Sequence, residues 1–248
     1  MLVTLGLGGV LAPVWLWLAR ASLDMYGSMQ GPSAWMMRAT WDASYTTLIF
    51  VMWTAMMAGM MLPSAAPAVL IYASVARSGT SPERPVLRAY LFAAGYLLVW
   101  AAFSAAATLV QRALATRALV TPMMEAASPY LTAALLVVAG TYQWSAWKRA
   151  CLARCRGPSA WLSENWRRGT WGALRLGAEH GAYCVGCCWA LMLLLFAGGV
   201  MSLVWIAGLS LFVLLEKVGP HAEWSDRVTG GALALAGAVL ALAAFVRG

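Results

Sequence analysis

Repeated apolar runs of membrane-spanning length constrain this chain more than any single motif does. Residues 2–19, 45–73, 89–111, 130–147, 183–199, 200–215 and 229–246 are all strongly apolar. A helix that crosses a bilayer needs roughly 20 mostly apolar residues, because its backbone polar groups must be satisfied internally. Several of these runs reach that length. Composition agrees, with 62% apolar residues, 10% charged residues and 14 tryptophans in 248 positions, whereas a soluble domain carries about 25% charged residues. The fold class expected is all-α: a polytopic transmembrane helix bundle of about seven spans, forming a single domain over residues 1–248.

The fifth and sixth runs decide the count. One continuous helix over 183–215 would be about 50 Å long, against a hydrocarbon core of about 30 Å. A break at Gly198-Gly199 gives seven spans, with a re-entrant pair as the alternative and six spans if the two merge. The first run has no Lys or Arg ahead of it, and "ARA" at 19–21 is a poor cleavage site, so it reads as a retained helix. No internal repeat or low-complexity linker divides the chain, and its longest polar insertion is at about 148–182.

Cation placement sets the expected orientation. With the N-terminus cytoplasmic, Arg77, Arg84, Arg88, the seven cations from Lys148 to Arg175, Lys217 and Arg227 lie inside, twelve in all. Five lie outside: Arg20, Arg38, Arg112, Arg117 and Arg247. This bias accounts for most of the net charge of +8, so nucleic acid is not needed as a partner. The expected setting is the bacterial inner (cytoplasmic) membrane, with multiple passes, the lipid bilayer as the main partner and the 148–182 insertion in the cytoplasm.

The second run reads "FVMWTAMMAGMMLPSAAP" and holds Met52, Met56, Met57, Met60 and Met61 on neighbouring rows of one helix face. Thioether sulfur is a soft donor suited to Cu(I), although methionine also serves as a flexible filler in packed bundles. Pro63 and Pro67 follow, which break or kink a helix and free backbone carbonyls.

A denser cluster occupies "HGAYCVGCCWALM". If a helix starts near His180, then His180, Cys184, Cys187, Cys188 and Met192 share one face. Thiolate with imidazole is a donor set for zinc or copper, and thiolate with thioether favours Cu(I). Cys151 and Cys155 lie one turn apart upstream, so all five cysteines gather toward one membrane face. In a reducing cytoplasm they are expected as free thiols, metal ligands or transient redox partners. The spacing does not match the paired CxxC of a zinc ribbon.

Other polar groups are read as structural. Glu216 and Lys217 close the sixth run as an interfacial anchor, with His221 beyond them. Asp42 caps the second helix, and Trp15, Trp41, Trp100, Trp144, Trp147 and Trp189 fit an aromatic belt near the span ends. The sequence contains no Ser/His/Asp triad and no phosphate-cradling glycine loop. Two histidines are too few for a three-histidine copper oxygenase centre.

"MWTAMMAGMMLPS", "GTYQWSAWKRACLARCRGP", "GAYCVGCCWALMLLLFAGGVMSLVW" and "LLEKVGP" follow in an order that resembles a bacterial family described as predicted metal-binding integral membrane proteins, a domain of unknown function. The resemblance covers roughly residues 41–220. It implies a metal-binding membrane protein and leaves the metal and the activity open. The family often has a proline two residues after the Gln of the YQ motif. Here Ser145-Ala146 stand at that place, which reads as a turn.

Residues and resemblance together point to a soft-metal membrane protein, with Cu(I) the leading ligand and zinc the other. The five cysteines, His180, Met192 and the methionine stripe are the candidate ligands for binding, transfer or transport. A partner membrane protein or a soluble metal chaperone is the expected donor or acceptor. Two other readings stay open at this point: a membrane thiol oxidoreductase using the cysteine cluster, and a structural subunit of a larger membrane complex.

Overall fold

A computed structural model describes residues 2–27, 32–37, 40–78, 84–219 and 222–247. The described residues form helices joined by turns, with one isolated antiparallel bridge between Val120 and Ala126. The helices are α1 (Leu2–Met25), α2 (Pro32–Met36), α3 (Ala43–Ser78), α4 (Pro85–Thr116), α5 (Pro129–Gln143), α6 (Ala146–Arg156), α7 (Pro158–Glu164), α8 (Gly169–Leu193), α9 (Leu195–Gly198), α10 (Leu203–Val218) and α11 (Ala222–Arg247).

Among the described residues, five segments are long and apolar enough to cross a membrane: Leu2–Met25, Ala43–Arg77, Pro85–Thr116, Gly169–Gly198 and Asp226–Arg247. The other two apolar runs become α5 and α10, of 15 and 16 residues, about 22 and 24 Å long. Against the expectation of about seven spans, five of the described helices qualify by length and composition.

Chain punctuation explains the boundaries. Asp42 accepts the Tyr45 N–H at 2.7 Å and so caps α3 as expected. Ser128 and Ser145 cap α5 and α6 by accepting from Leu131 and Lys148. The fourth apolar run accordingly ends at Gln143, and the turn at Trp144-Ser145 lies where the family pattern often carries proline. Gly199 has φ +91°, a conformation that suits glycine, and there the 183–215 run breaks into two helices. Gly198 lets the Trp205 ring pack against the backbone, and the Trp205 indole donates to the Leu194 carbonyl at 2.5 Å.

Two sequence expectations are corrected here. The last part of the 148–182 insertion is helical, because α8 begins at Gly169, eleven residues before His180. Arg175 and Glu179 pair one turn apart at 3.0 Å, and Gly172 and Gly177 are buried, so this polar stretch continues the helix. The fifth run is thus part of a 30-residue segment, Gly169–Gly198, and is not one of two short halves. In addition, α3 runs without a break through Pro63 and Pro67. Pro63 has no N–H for the Gly59 carbonyl, which instead accepts from the Trp15 indole of α1 at 3.2 Å.

α3 is the central helix, flanked by α1, α4 and α10, while α8 packs along α4 and α6, and α5 along α11. The α4–α8 seam is made by glycine. A Cβ on Gly95 would strike the Leu174 carbonyl, one on Gly177 would strike the Phe92 carbonyl, and one on Gly181 would lie 3.0 Å from the Tyr96 carbonyl. Gly177 and Gly181 form the small-xxx-small spacing that permits close approach of helices in lipid. The seam sets the register that brings Tyr96 of α4 beside Cys184 of α8.

Candidate metal centre

α8 presents His180, Cys184, Cys187, Cys188 and Met192 on its buried side, together with Gly181 and Leu191. The sulfurs of Cys184, Cys187 and Cys188 all lie within 4.8 Å of one another. Helical spacing explains the grouping, since positions i, i+3 and i+4 are surface neighbours. The Cys187 and Cys188 thiols both donate to the Cys184 carbonyl, at 3.1 and 2.9 Å. A metal bound here would therefore replace weak thiol hydrogen bonds with stronger thiolate ligation.

Cys184 also belongs to a closed hydrogen-bond circuit spanning four helices. The Lys217 ammonium of α10 donates to the Cys184 sulfur at 2.8 Å and to the Ser64 hydroxyl of α3 at 2.9 Å. Ser64 donates to the Met61 carbonyl at 2.9 Å. The Tyr96 hydroxyl of α4 donates to that same carbonyl at 3.0 Å and lies 3.0 Å from the Cys184 sulfur. Met61, a member of the methionine stripe, thus reaches the thiol site through its backbone.

Cys151 and Cys155 of α6 approach the same site from the side. The Cys155 thiol interacts with Cys187, and a Cβ on Gly186 would lie 2.7 Å from the Cys151 sulfur. The Tyr142 hydroxyl donates to the Gly186 carbonyl and fixes α5 against this turn. All five cysteines are free thiols. Interaction with the neighbouring Cys187 thiol, together with burial, holds the Cys155 thiol well above the ordinary thiol range. Burial and the neighbouring Cys187 likewise push Cys151 up, against the opposing effect of Arg154.

His180 lies one turn before Cys184, outside the group formed by the three sulfurs. Its ring sits 5.5 Å from Trp161, 5.9 Å from Tyr96 and 6.0 Å from Phe92, and its Nδ1 is buried with no hydrogen-bond partner. Met52, Met56, Met57, Met60 and Met61 are fully buried along α3, and Met192 is buried on α8.

Glu216 and Lys217 are not the interfacial anchor that the sequence suggested. Both are buried, at 3% and 6% exposure, and they face different partners. Lys217 reaches Cys184, while Glu216 joins a second polar cluster around Lys148. The Lys148 ammonium, itself 0% exposed, lies 2.6 Å from Glu216 and 3.0 Å from Asp226, and also donates to Gln143. Sequence reasoning missed Tyr96, Ser64, Lys148 and Asp226 altogether. Little in their own stretches set them apart: Tyr96 and Ser64 are uncharged, and Lys148 is one of four cations in α6. Trp100 is also corrected from belt to core, since it is 1% exposed and packs against Phe103. His221 lies outside the described residues.

The family model described as PpoB2, copper chaperone, matches residues 50–240. This chain belongs to the PpoB2 family. The matched segment contains every cysteine and the α3 methionines, so it covers the whole thiol site and the circuit around it. No curated protein and no solved structure matches the chain.

Proposed function

We propose that this chain is an integral membrane Cu(I) carrier that takes the ion at the thiols of α8 and passes it along the thioethers of α3 to an acceptor. The observation that carries this reading is the enclosed group of three thiols, Cys184, Cys187 and Cys188, in a protein of the copper chaperone family. Soft sulfur ligands suit Cu(I). Zinc is the competing ion at the thiols, and it has little affinity for the thioethers.

Each residue has a role in this reading. Cys184, Cys187 and Cys188 hold the ion, while Cys151 and Cys155 pass it in from the α6 side. Lys217 offsets the negative charge that a copper–thiolate centre carries inside apolar surroundings. Met192 and the stripe of Met52, Met56, Met57, Met60 and Met61 offer neutral sulfur along the bundle. His180, with its unpartnered Nδ1, is a further ligand or gate residue beside the thiols. The N-terminus is cytoplasmic, α5 and α10 complete seven crossings, and the membrane is the bacterial inner membrane. The donor or acceptor is a soluble metal chaperone or a partner membrane protein.

The test is to replace two thioethers by groups of nearly equal volume. Met56→Leu with Met60→Leu should lower Cu(I) affinity or transfer rate, leave zinc binding at the thiols unchanged, and cost less than about 1.5 kcal/mol of stability per site. A double variant equal to the parent in Cu(I) transfer would remove the stripe from the path.

A further inference from the structure

The methionine stripe ends at Met52, but buried methionine continues beyond it. At the end of the bundle where α1, α4 and α9 finish and α3, α5 and α10 begin, Met25, Met124 and Met201 are at most 2% exposed. They come from three segments far apart in sequence, and hydrogen bonds at neighbouring residues join those segments. The Tyr26 hydroxyl donates to Glu125 at 3.0 Å, Leu203 N–H donates to Ser22 at 3.3 Å, and Ala126 N–H donates to the Phe196 carbonyl at 2.7 Å.

Two backbone features mark the junction. Met124 holds φ +60°, a left-handed conformation uncommon for a non-glycine residue. Strain of this kind persists where the surroundings impose it and gathers at functional sites. Gly199 lies against both Tyr26 and Glu125, with room for no side chain: a Cβ there would be 2.7 Å from the tyrosine oxygen and 2.9 Å from the carboxylate. A cavity of about 490 Å³ is lined by Ser22, Tyr26, Ser202 and Leu203, residues of the two segments that carry Met25 and Met201.

We propose that Met25, Met124 and Met201 form a second soft-metal site, a thioether-only station for Cu(I) that stands between the α3 stripe and an acceptor docking at this end. The proposal rests on the reading of the chain as a Cu(I) carrier and adds where the ion leaves. Three thioethers are neutral, so a Cu(I) ion there keeps its positive charge, and the half-buried Glu125 carboxylate next to Met124 supplies the balancing negative charge. From Cys184 to Gly198 is fourteen residues of α8 and α9, about 21 Å along the helix axis, so the two sites are separate. A thioether site holds Cu(I) less tightly than a thiolate site, which suits release. No covalent or redox step is involved: the ion exchanges one set of sulfur ligands for another and remains Cu(I).

The experiment titrates full-length protein in detergent with Cu(I) alone, without oxygen and against a competing chelator. The Cys184→Ser, Cys187→Ser, Cys188→Ser variant removes the thiol site and should retain one weaker Cu(I) equivalent. Adding Met25→Leu, Met124→Leu and Met201→Leu should weaken that equivalent at least tenfold. Leucine at position 124 meets the same backbone demand as methionine, and equal unfolding temperatures without metal would verify the fold. If the combined variant does not fold, Met201→Leu alone in the serine background should still weaken the residual site. Copper held by the parent but wholly lost from the serine variant would overturn this inference and leave the proposed function standing. Residual copper unaffected by the leucines at 25, 124 and 201 would also overturn it. A parent that holds no copper would sink both.

Discussion

The Lys217 ammonium lies 2.8 Å from the Cys184 sulfur, with both residues buried among apolar helices. An ammonium in such surroundings requires a partner that accepts hydrogen bonds and carries, or can carry, negative charge. Lys217 has Cys184 and Ser64 in that position, each on a different helix. Replacing it by methionine keeps much of the volume and removes the charge. Lys217→Met should lower Cu(I) affinity by at least tenfold, while Lys217→Arg should retain part of it. Chelator competition on the purified variants reads the difference. Equal affinities in Lys217→Met and the parent would reduce Lys217 to a packing residue.

The second buried cluster makes a separate prediction about stability. Lys148 serves two carboxylates, Glu216 and Asp226, from α10 and α11. Removing one member of a buried ion pair leaves an uncompensated charge, at a cost of about 3–5 kcal/mol. Lys148→Met should therefore lower the unfolding temperature in detergent sharply. Adding Glu216→Gln and Asp226→Asn should recover most of the loss, because the carboxylates then no longer need the ammonium. A triple variant as unstable as Lys148→Met would mean that the ammonium acts through packing.

Thiol reactivity on α6 follows from the two shifts there. Cys151 and Cys155 both ionise above the ordinary thiol range, and the thiolate is the reactive form. Alkylation of both by iodoacetamide should be slow at neutral pH and should still be rising past pH 9. Cys151, the more exposed of the two, should react first. Mass spectrometry of the alkylated peptides across a pH series measures both expectations, and rapid labelling of Cys155 at pH 7 would contradict the shift.

The parts of this architecture visible in the sequence are those that depend on local spacing. The apolar runs marked the helices, Asp42 marked the start of α3, Gly198-Gly199 marked the break after α9, and the 3-4 spacing of Cys184, Cys187 and Cys188 placed three thiols together. What remained hidden depends on register between distant helices. Tyr96, Ser64 and Lys217 are separated by 88, 120 and 33 positions from Cys184, and nothing in their own neighbourhoods points to a thiol. Tyr96 meets it because Gly95, Gly177 and Gly181 let α4 and α8 approach closely enough, while Lys217 reaches it from α10 and holds Ser64 of α3 as its other partner. The start of α8 was obscured for another reason: Arg175 and Glu179 made the stretch read as a polar insertion, although one turn of helix pairs them. Lys217 resembled an interfacial anchor because Lys at a helix end usually reaches water, and only the fold turns it inward.

The most direct test of the central claim is the metal content of the detergent-purified protein after loading with Cu(I), compared with the Cys184→Ser, Cys187→Ser, Cys188→Ser variant. Hydroxyl groups are poor soft-metal ligands, so the variant should remain folded and lose the tightly held copper, with the parent showing predominantly sulfur coordination by X-ray absorption. Tight copper of unchanged stoichiometry in the triple variant, or a parent that holds none, would contradict the account.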